Sequence, residues 1–333
     1  MPHHAASATR PTTGLARPLA RRRRVALRVQ ASAATNADGP PPPAPALAGR
    51  RGLLLGGLAA APLSTLASAT TLVLAGTGLS TPPPALAGTG PLRPLSPAAA
   101  AAVRAAFDRE AGKSKAPVLL RLAFHDAAAF DAGRGDGGAN GSVRFELDRP
   151  ESFGLKRGWR VIEAVAGRVA ADPACRGEGI GLADLIALGG AYAVAVTGGP
   201  AIDVPVGRVD ATAADPPARL PSEDASSADL VASFAAKGLS SGDLVALSGG
   251  HTLGAKGFGD PVTFDNVYYV TLLAKPWAAP GAGEMASHIG LPSDRVLADD
   301  ARLVPSIKRY AADQAAFFAD FTTSYLRMVA LGT

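Results

Sequence analysis

From about residue 95 onward, apolar positions recur at helical spacing, and no stretch of any length carries a convincing strand pattern. Ser96-Pro97 supplies an N-cap and an N1 proline, which opens a helix to about Ala111 that Gly112 ends. A second helix is predicted over 116–130, and a Gly-rich loop follows over 133–142. Over 155–169, Leu155, Trp159, Val161, Ile162 and Val165 form a candidate apolar face. Residues 183–196 are apolar nearly all round, as a central buried helix would be, and Gly198-Gly199-Pro200 stops them. Ser240-Ser241-Gly242-Asp243 reads as a capping box opening a helix with Leu244, Val245 and Leu247 that runs into His251. Over 310–331, Phe317, Phe318, Phe321, Tyr325 and Met328 read as core packing rather than a cofactor box. There is no internal repeat, and the fold class is all-α.

Before residue 88 the pattern changes. Residues 1–35 are rich in Ala, Ser, Thr and Arg and almost free of acid, the composition of an organelle transit peptide, with a first cleavage expected near Ala31. Arg50-Arg51 then precedes a weakly apolar stretch to about 78, and Ala85-Leu86-Ala87 gives an A-x-A cleavage site. Twin Arg, weak hydrophobicity and A-x-A resemble a twin-arginine export signal. The chain therefore divides into a bipartite leader over 1–87 (transit peptide about 1–31, lumenal signal about 45–87) and a mature domain over 88–333. The address expected is the chloroplast thylakoid lumen. The stroma and a membrane anchor over 52–78 are the alternatives, and Pro62 together with the Gly and Ala content argues against the anchor. No stable membrane insertion is expected after processing.

Charge has to be read with that division in mind. The formal +5 comes from the leader, because the first 90 residues hold nine Arg and one acid, Asp38. The remainder has 24 Lys+Arg against 27 Asp+Glu, so 24 − 27 = −3. A mildly acidic domain implies no nucleic-acid partner. Cys175 is the only cysteine, which excludes an intramolecular disulfide and any CxxC metal or redox motif.

The candidate chemistry is carried by few residues. Arg121 and His125 stand four apart, hence one turn apart on one helix face. Cleaving a peroxide on ferric haem needs a base that takes a proton from H2O2 and returns it to the leaving oxygen. It also needs a fixed positive charge where negative charge develops. His125 suits the first role, and Arg121, which does not deprotonate, the second. Phe124 between them would lie against the distal face of the haem. His251 would ligate the iron through Nε2, and Asp294 would accept its other N–H and make the imidazole more electron-donating. A lone buried His is most often a core residue; four positions in compatible order argue for the site.

These residues sit in stretches that resemble class I haem peroxidases of the ascorbate peroxidase type over about residues 93–331. The matching pieces are APVLLRLAFHDA (116–127), GGANGSVRF (137–145), VTGGP (196–200), VGRVD (206–210), RLP (219–221), LVALSGGHTLG (244–254), TFDN (263–266), GLPSD (290–294) and KRYAADQAAFFADF (308–321). The resemblance is nearest to the ascorbate-peroxidase-related subgroup of plants and algae, through GAKGFGDPVTFDN and Lys275-Pro276-Trp277 among others. It implies two helical lobes with haem b between them, Arg121, Phe124 and His125 on the distal side, and His251 and Asp294 on the proximal side.

Three departures from the family pattern matter. Phe124 stands where ascorbate peroxidases have Trp. No Trp follows His251 in the short segment 252–263, where Phe258 is the nearest aromatic, and the Arg that contacts ascorbate is missing, leaving Lys256 as the only substitute. Ser152 stands where the family has an Asn bonded to the distal His. By analogy with relatives, Asp126, Gly138, Asn140 and Ser142 match the order of a distal calcium site. Thr252, Thr263 and Asp265 resemble the proximal cation site; each set offers oxygen ligands for a potassium or calcium ion, with a plain Asx-rich loop as the alternative on the distal side, where Asn140 in place of Asp would make the site weak. Asn140-Gly141-Ser142 as a glycosylation sequon, Arg134-Gly135-Asp136 as an adhesion motif and His288 as a ligand are discounted.

The function expected is haem-dependent reduction of hydrogen peroxide in response to oxidative stress. Its donor is a small organic molecule, with aromatic donors preferred to ascorbate. The alternative is a haem-free, peroxidase-like lumenal protein serving as a binding or scaffold module.

Overall fold

The computed structural model describes residues 91–274 and 289–333. The leader, Lys275-Pro276-Trp277 and His288 lie outside them. Among the described residues ten α-helices follow one another: α1 Pro97–Glu110, α2 Ala116–Ala127, α3 Lys156–Ala171, α4 Leu182–Val196, α5 Ser227–Ala236, α6 Ser241–Ser248, α7 Val267–Leu273, α8 Pro292–Leu297, α9 Val304–Ala312 and α10 Gln314–Met328. Among the described residues there is no strand, only isolated bridges at Arg93–Val206 and Asp131–Asp136.

The helices sort into two groups. In the first, α2 lies along α4, and α3 packs on α1, α2 and α4. In the second, α10 packs on α6 and α9, α7 on α9, and α5 on α6 and α8. This is the two-lobed, all-α fold that the sequence implies. The two groups meet through α4, which buries Leu185, Ile186, Ala191 and Val194 among others on several faces. Gly190 makes the contact possible. A Cβ there would stand 2.1 Å from Tyr325 Oη and 2.8 Å from Ala123 Cβ. Its absence lets α2 and α10 both close on α4, and the Tyr325 hydroxyl donates to Ala187 O at 2.7 Å.

Local chemistry accounts for the boundaries. Ser96 Oγ accepts from Ala99 N ahead of α1. Ser240 and Asp243 form the expected reciprocal box, Asp243 N donating to Ser240 Oγ at 3.1 Å and Ser240 N to Asp243 Oδ2 at 2.9 Å. The apolar stretch 304–328 is divided into α9 and α10 at Asp313. Asp313 leaves the helical region at φ −139°, ψ 99°, and its carboxylate accepts from Ala315 N and Ala316 N, capping α10 after α9 has ended. Likewise α2 ends at Ala127, short of 130, because the chain turns there into the Gly-rich loop.

Candidate active site

Arg121 and His125 project from α2 one turn apart. The Arg121 guanidinium is held by two backbone carbonyls, Nη1 donating to Phe153 O and Nη2 to Glu151 O, each at 2.7 Å. That fixes its charge against the turn Pro150–Ser152. Burial lowers its pKa, and the Glu223 carboxylate opposes the shift.

His125 is 8% exposed. Burial, reinforced by the Arg121 charge, lowers its pKa to about 3, so the ring is neutral at pH 7. Its Nδ1 is buried without a hydrogen-bond partner. Ser152, at the position expected to supply one, is buried, yet its hydroxyl does not reach the ring. Phe124 is half-buried, with its ring edge-on to His125 at 6.1 Å.

His251 sits on the tight turn Gly249–Thr252 that continues α6. A Cβ at Gly249 would stand 2.3 Å from Tyr269 Oη and 2.5 Å from the Phe317 ring, so only glycine allows the turn to seat so deeply. Leu120, beside Arg121 on α2, lies 3.3 Å from the position of a Cβ on Gly250, which brings the turn against α2. His251 Nδ1 meets Asp294 Oδ1 at 2.7 Å, and Asp294 Oδ2 accepts from Leu291 N at 2.8 Å. Asp294, in the first turn of α8, is 2% exposed, whereas the His251 side chain is 42% exposed. Burial opposes charge on both. Even so, their mutual attraction and hydrogen bond leave the His251 pKa raised and the Asp294 pKa lowered. The ring is therefore anchored through Nδ1, and among the described residues nothing bonds Nε2.

Two residues escaped the sequence reading. The Tyr268 hydroxyl donates to the same Asp294 Oδ1 at 2.8 Å, and its ring stands edge-on to His251 at 6.1 Å. Phe258, the nearest aromatic to His251 in the segment 252–263, packs on Tyr268 at 4.7 Å. Glu223 is exposed, and its charge reaches both Arg121 and His251. Its carbonyl accepts from Ser293 N at 3.0 Å, beside Asp294. The aromatic content of Val267-Tyr268-Tyr269 was the one available signal for Tyr268, and nothing in the sequence distinguished Glu223.

The two cation sets are assembled unequally. On the distal side both Asp126 oxygens accept backbone amides, from Gly141 at 2.9 Å and Val143 at 3.2 Å. Burial nevertheless pushes the Asp126 pKa up to about 7. Asn140 Oδ1 accepts from Ser142 N at 2.9 Å, and its Nδ2 donates to Asp215 at 3.2 Å. Gly138 lies against Leu331 O, and the Ser142 hydroxyl is buried without a partner. These groups thus hold the 138–143 loop to α2. On the proximal side Thr252 Oγ1 donates to Asp265 Oδ1 at 2.7 Å and lies 3.5 Å from Thr263 O. The Thr263 hydroxyl is turned away to Asp260, so Thr263 joins the set through its carbonyl only.

The residues fit a haem. Among the described residues no three His, Cys, Asp or Glu side chains form a metal cage. The donor set is instead one imidazole, oriented by a buried carboxylate and with a free Nε2, the arrangement an axial ligand needs when a macrocycle fills the other positions. The neutral His125 and the fixed Arg121 cation stand on α2, the helix against which the 249–252 turn packs.

The chain matches the family described as peroxidase over residues 99–313, which contain Arg121, His125, His251 and Asp294. It is 46% identical over 220 residues, 66% of this chain, to "Putative L-ascorbate peroxidase 6" of Arabidopsis thaliana, and spans 65% of that protein's length. It is 39% identical over 229 residues to L-ascorbate peroxidase 5, peroxisomal, of Arabidopsis thaliana (65% of this chain, 76% of the relative). To L-ascorbate peroxidase 1, cytosolic, of Oryza sativa subsp. indica it is 38% identical over 235 residues (67% and 88%). With this fold and these four residues in place, the chain belongs to the haem peroxidase family, in its class I, ascorbate-peroxidase-type branch.

Proposed function

We propose that the chain reduces hydrogen peroxide to water with electrons from a small organic donor, that it does so as part of an oxidative-stress response in the chloroplast, and that it acts in the thylakoid lumen. The observation that carries the peroxidase reading is His251, anchored through Nδ1 on Asp294 and free at Nε2, on a turn that packs against α2, the helix that carries a neutral His125 and a fixed Arg121.

Haem b, when bound, supplies the iron at which the O–O bond is cleaved. His251 would hold it through Nε2, and the Asp294 carboxylate keeps the proton on Nδ1 and the ring in one orientation. Phe124, half-buried beside His125, would pack against the macrocycle. His125, neutral at pH 7, accepts a peroxide proton at Nε2 and returns it to the departing oxygen. Arg121 offers a charge that costs no reorganisation, because two carbonyls already hold it. Of the two cation sets, the proximal one is the better candidate for a potassium or calcium ion, since Thr252 Oγ1, Thr263 O and Asp265 Oδ1 converge as oxygen ligands. The leader argues for the lumen by its paired transit and twin-arginine features.

The test is haem titration of the purified mature protein. A Soret band saturating at one haem per chain, lost in His251→Ala, supports the reading. Wild-type protein that takes up no haem would favour the alternative, a peroxidase-like binding module.

A further inference from the structure

The aromatic residues behind His251 do more than fill the core. Phe264, Phe317 and Phe321 pack ring to ring and carry no polar atom. Three tyrosines beside them differ, because their hydroxyls are individually placed. Tyr268 donates to Asp294 Oδ1 at 2.8 Å, the oxygen that also holds His251. Tyr310 donates to Asp320 Oδ2 at 2.7 Å, an oxygen also bonded by Arg309 at 2.7 Å. Tyr269 lies between them, its ring 5.0 Å from that of Tyr268 and 5.1 Å from that of Tyr310. Its hydroxyl donates to Val245 O and Ala246 O, which cannot take a proton. Tyr268 and Tyr269 are fully buried. At the far end the Arg309 and Asp320 side chains are 56% and 37% exposed, and Arg309 covers the Tyr310 ring at 5.6 Å.

We propose that Tyr268, Tyr269 and Tyr310 form an electron relay from the haem site beside His251 to the surface at Arg309 and Asp320, where a one-electron donor too bulky for the haem pocket delivers its electrons. The proposal rests on the peroxidase reading above. Reduction of one H2O2 to two H2O takes two electrons and two protons. For each electron, Tyr268 gives one to the site and passes its phenolic proton to Asp294 Oδ1, leaving a neutral tyrosyl radical. An electron from Tyr310 then crosses the Tyr269 ring to Tyr268, the proton on Asp294 returns to Tyr268, and the Tyr310 proton moves to Asp320 Oδ2. The external donor restores Tyr310, which regains its proton from Asp320. Two passages supply both electrons, and the two protons consumed come from solvent or donor.

The geometry answers the obvious objection, that buried phenols are hard to oxidise. Burial raises the pKa of all three, so none ionises at neutral pH. Oxidation then needs a base that takes the proton as the electron leaves. The two end tyrosines each have a carboxylate within hydrogen-bond distance. The middle one has none and serves as the bridge.

The experiment adds one equivalent of H2O2, with no donor, to the haem-loaded protein. It follows the paramagnetic resonance spectrum and maps adducts of a nitroso spin trap by mass spectrometry. The expected result is a tyrosyl signal and an adduct on Tyr310. Tyr310→Phe should remove the adduct while a tyrosyl signal persists. Tyr268→Phe, which keeps the ring and loses only one hydroxyl, should lower both signal and adduct at least tenfold. A wild-type adduct elsewhere, or Tyr268→Phe with an unchanged yield, overturns the relay. Peroxide consumption with guaiacol in the same wild-type sample separates the two readings: consumption without a tyrosyl signal sinks the relay alone, whereas absence of haem uptake or of consumption sinks both.

Discussion

A neutral imidazole works as a base at one nitrogen only if its proton sits comfortably on the other. His125 lacks that comfort, because its Nδ1 is buried with no acceptor. A proton placed there is an unsatisfied buried donor, which costs about 1–3 kcal/mol. Ser152→Asn, which lengthens the side chain toward the ring, should therefore speed the peroxide step. One pKa unit of added basicity corresponds to about 1.4 kcal/mol, or roughly tenfold. Stopped-flow mixing with H2O2 reads this directly, and an unchanged or slower rate would mean that the Asn amide does not reach Nδ1. His125→Leu should slow the same step by ~10²–10⁴. Stability gives an independent check. The folded ring takes a proton only near pH 3, the unfolded ring near 6.5. Between those values the unfolded chain binds more protons, so this residue makes stability rise with pH across the window and fall on acidification. His125→Leu should narrow the difference in Tm between pH 4 and pH 7. The Arg121–His125 pair was legible from its helical spacing, whereas His251 and Asp294, 126 and 169 residues further along than His125, were singled out through the family resemblance. Tyr268 was not. Two adjacent tyrosines in an apolar run read as core, and only the packing of α7 against the 249–252 turn places one hydroxyl on Asp294.

At the scale of elements, cap chemistry and close approach decide what periodicity leaves open. The heptad-like run of apolar residues across 304–328 does not reveal where one helix becomes two, because Tyr310, Phe317 and Phe321 continue to face the core on both sides of the break. Asp313 decides it, by satisfying two of the amides that the start of α10 would otherwise leave free. Asp313→Ala should cost about 1 kcal/mol, within the range for a lost N-cap, read as a lower urea midpoint with an unchanged slope. The reverse case is α4. Its all-apolar sequence announces burial, but not that Gly190 is the point of closest approach. Gly190→Ala should destabilise by about 1–3 kcal/mol, as overpacking does, although alanine is the better helix former. A stability equal to the wild type would mean that Tyr325 swings clear at no cost. The capping box at Ser240 and Asp243 was read from sequence because both of its hydrogen bonds are local.

At the scale of the molecule, the charges around the site bear on which donor it accepts. Ascorbate is an anion at neutral pH and needs a cation near the haem edge. In the segment 252–263 Lys256 is the sole Lys or Arg, and its charge reaches His251. Glu223 opposes it, with a carboxylate whose field reaches both Arg121 and His251. An approaching anion therefore meets the Glu223 carboxylate as well as the Lys256 ammonium. A neutral phenol meets no such repulsion. Steady-state assays should show guaiacol oxidised more readily than ascorbate. Glu223→Gln should lower the KM for ascorbate by roughly fivefold, the effect of removing about 1 kcal/mol of like-charge repulsion at an exposed site. The KM for guaiacol should stay within about twofold in the same variant, because a neutral donor carries no charge for the carboxylate to repel. The fivefold change should also shrink as salt is added, since exposed charges are screened beyond about 8–10 Å at physiological ionic strength. Saturation of the wild type by ascorbate at low concentration, with poor guaiacol turnover and no response to Glu223→Gln, would place the ascorbate contact on residues other than Lys256 and remove Glu223 from the choice of donor.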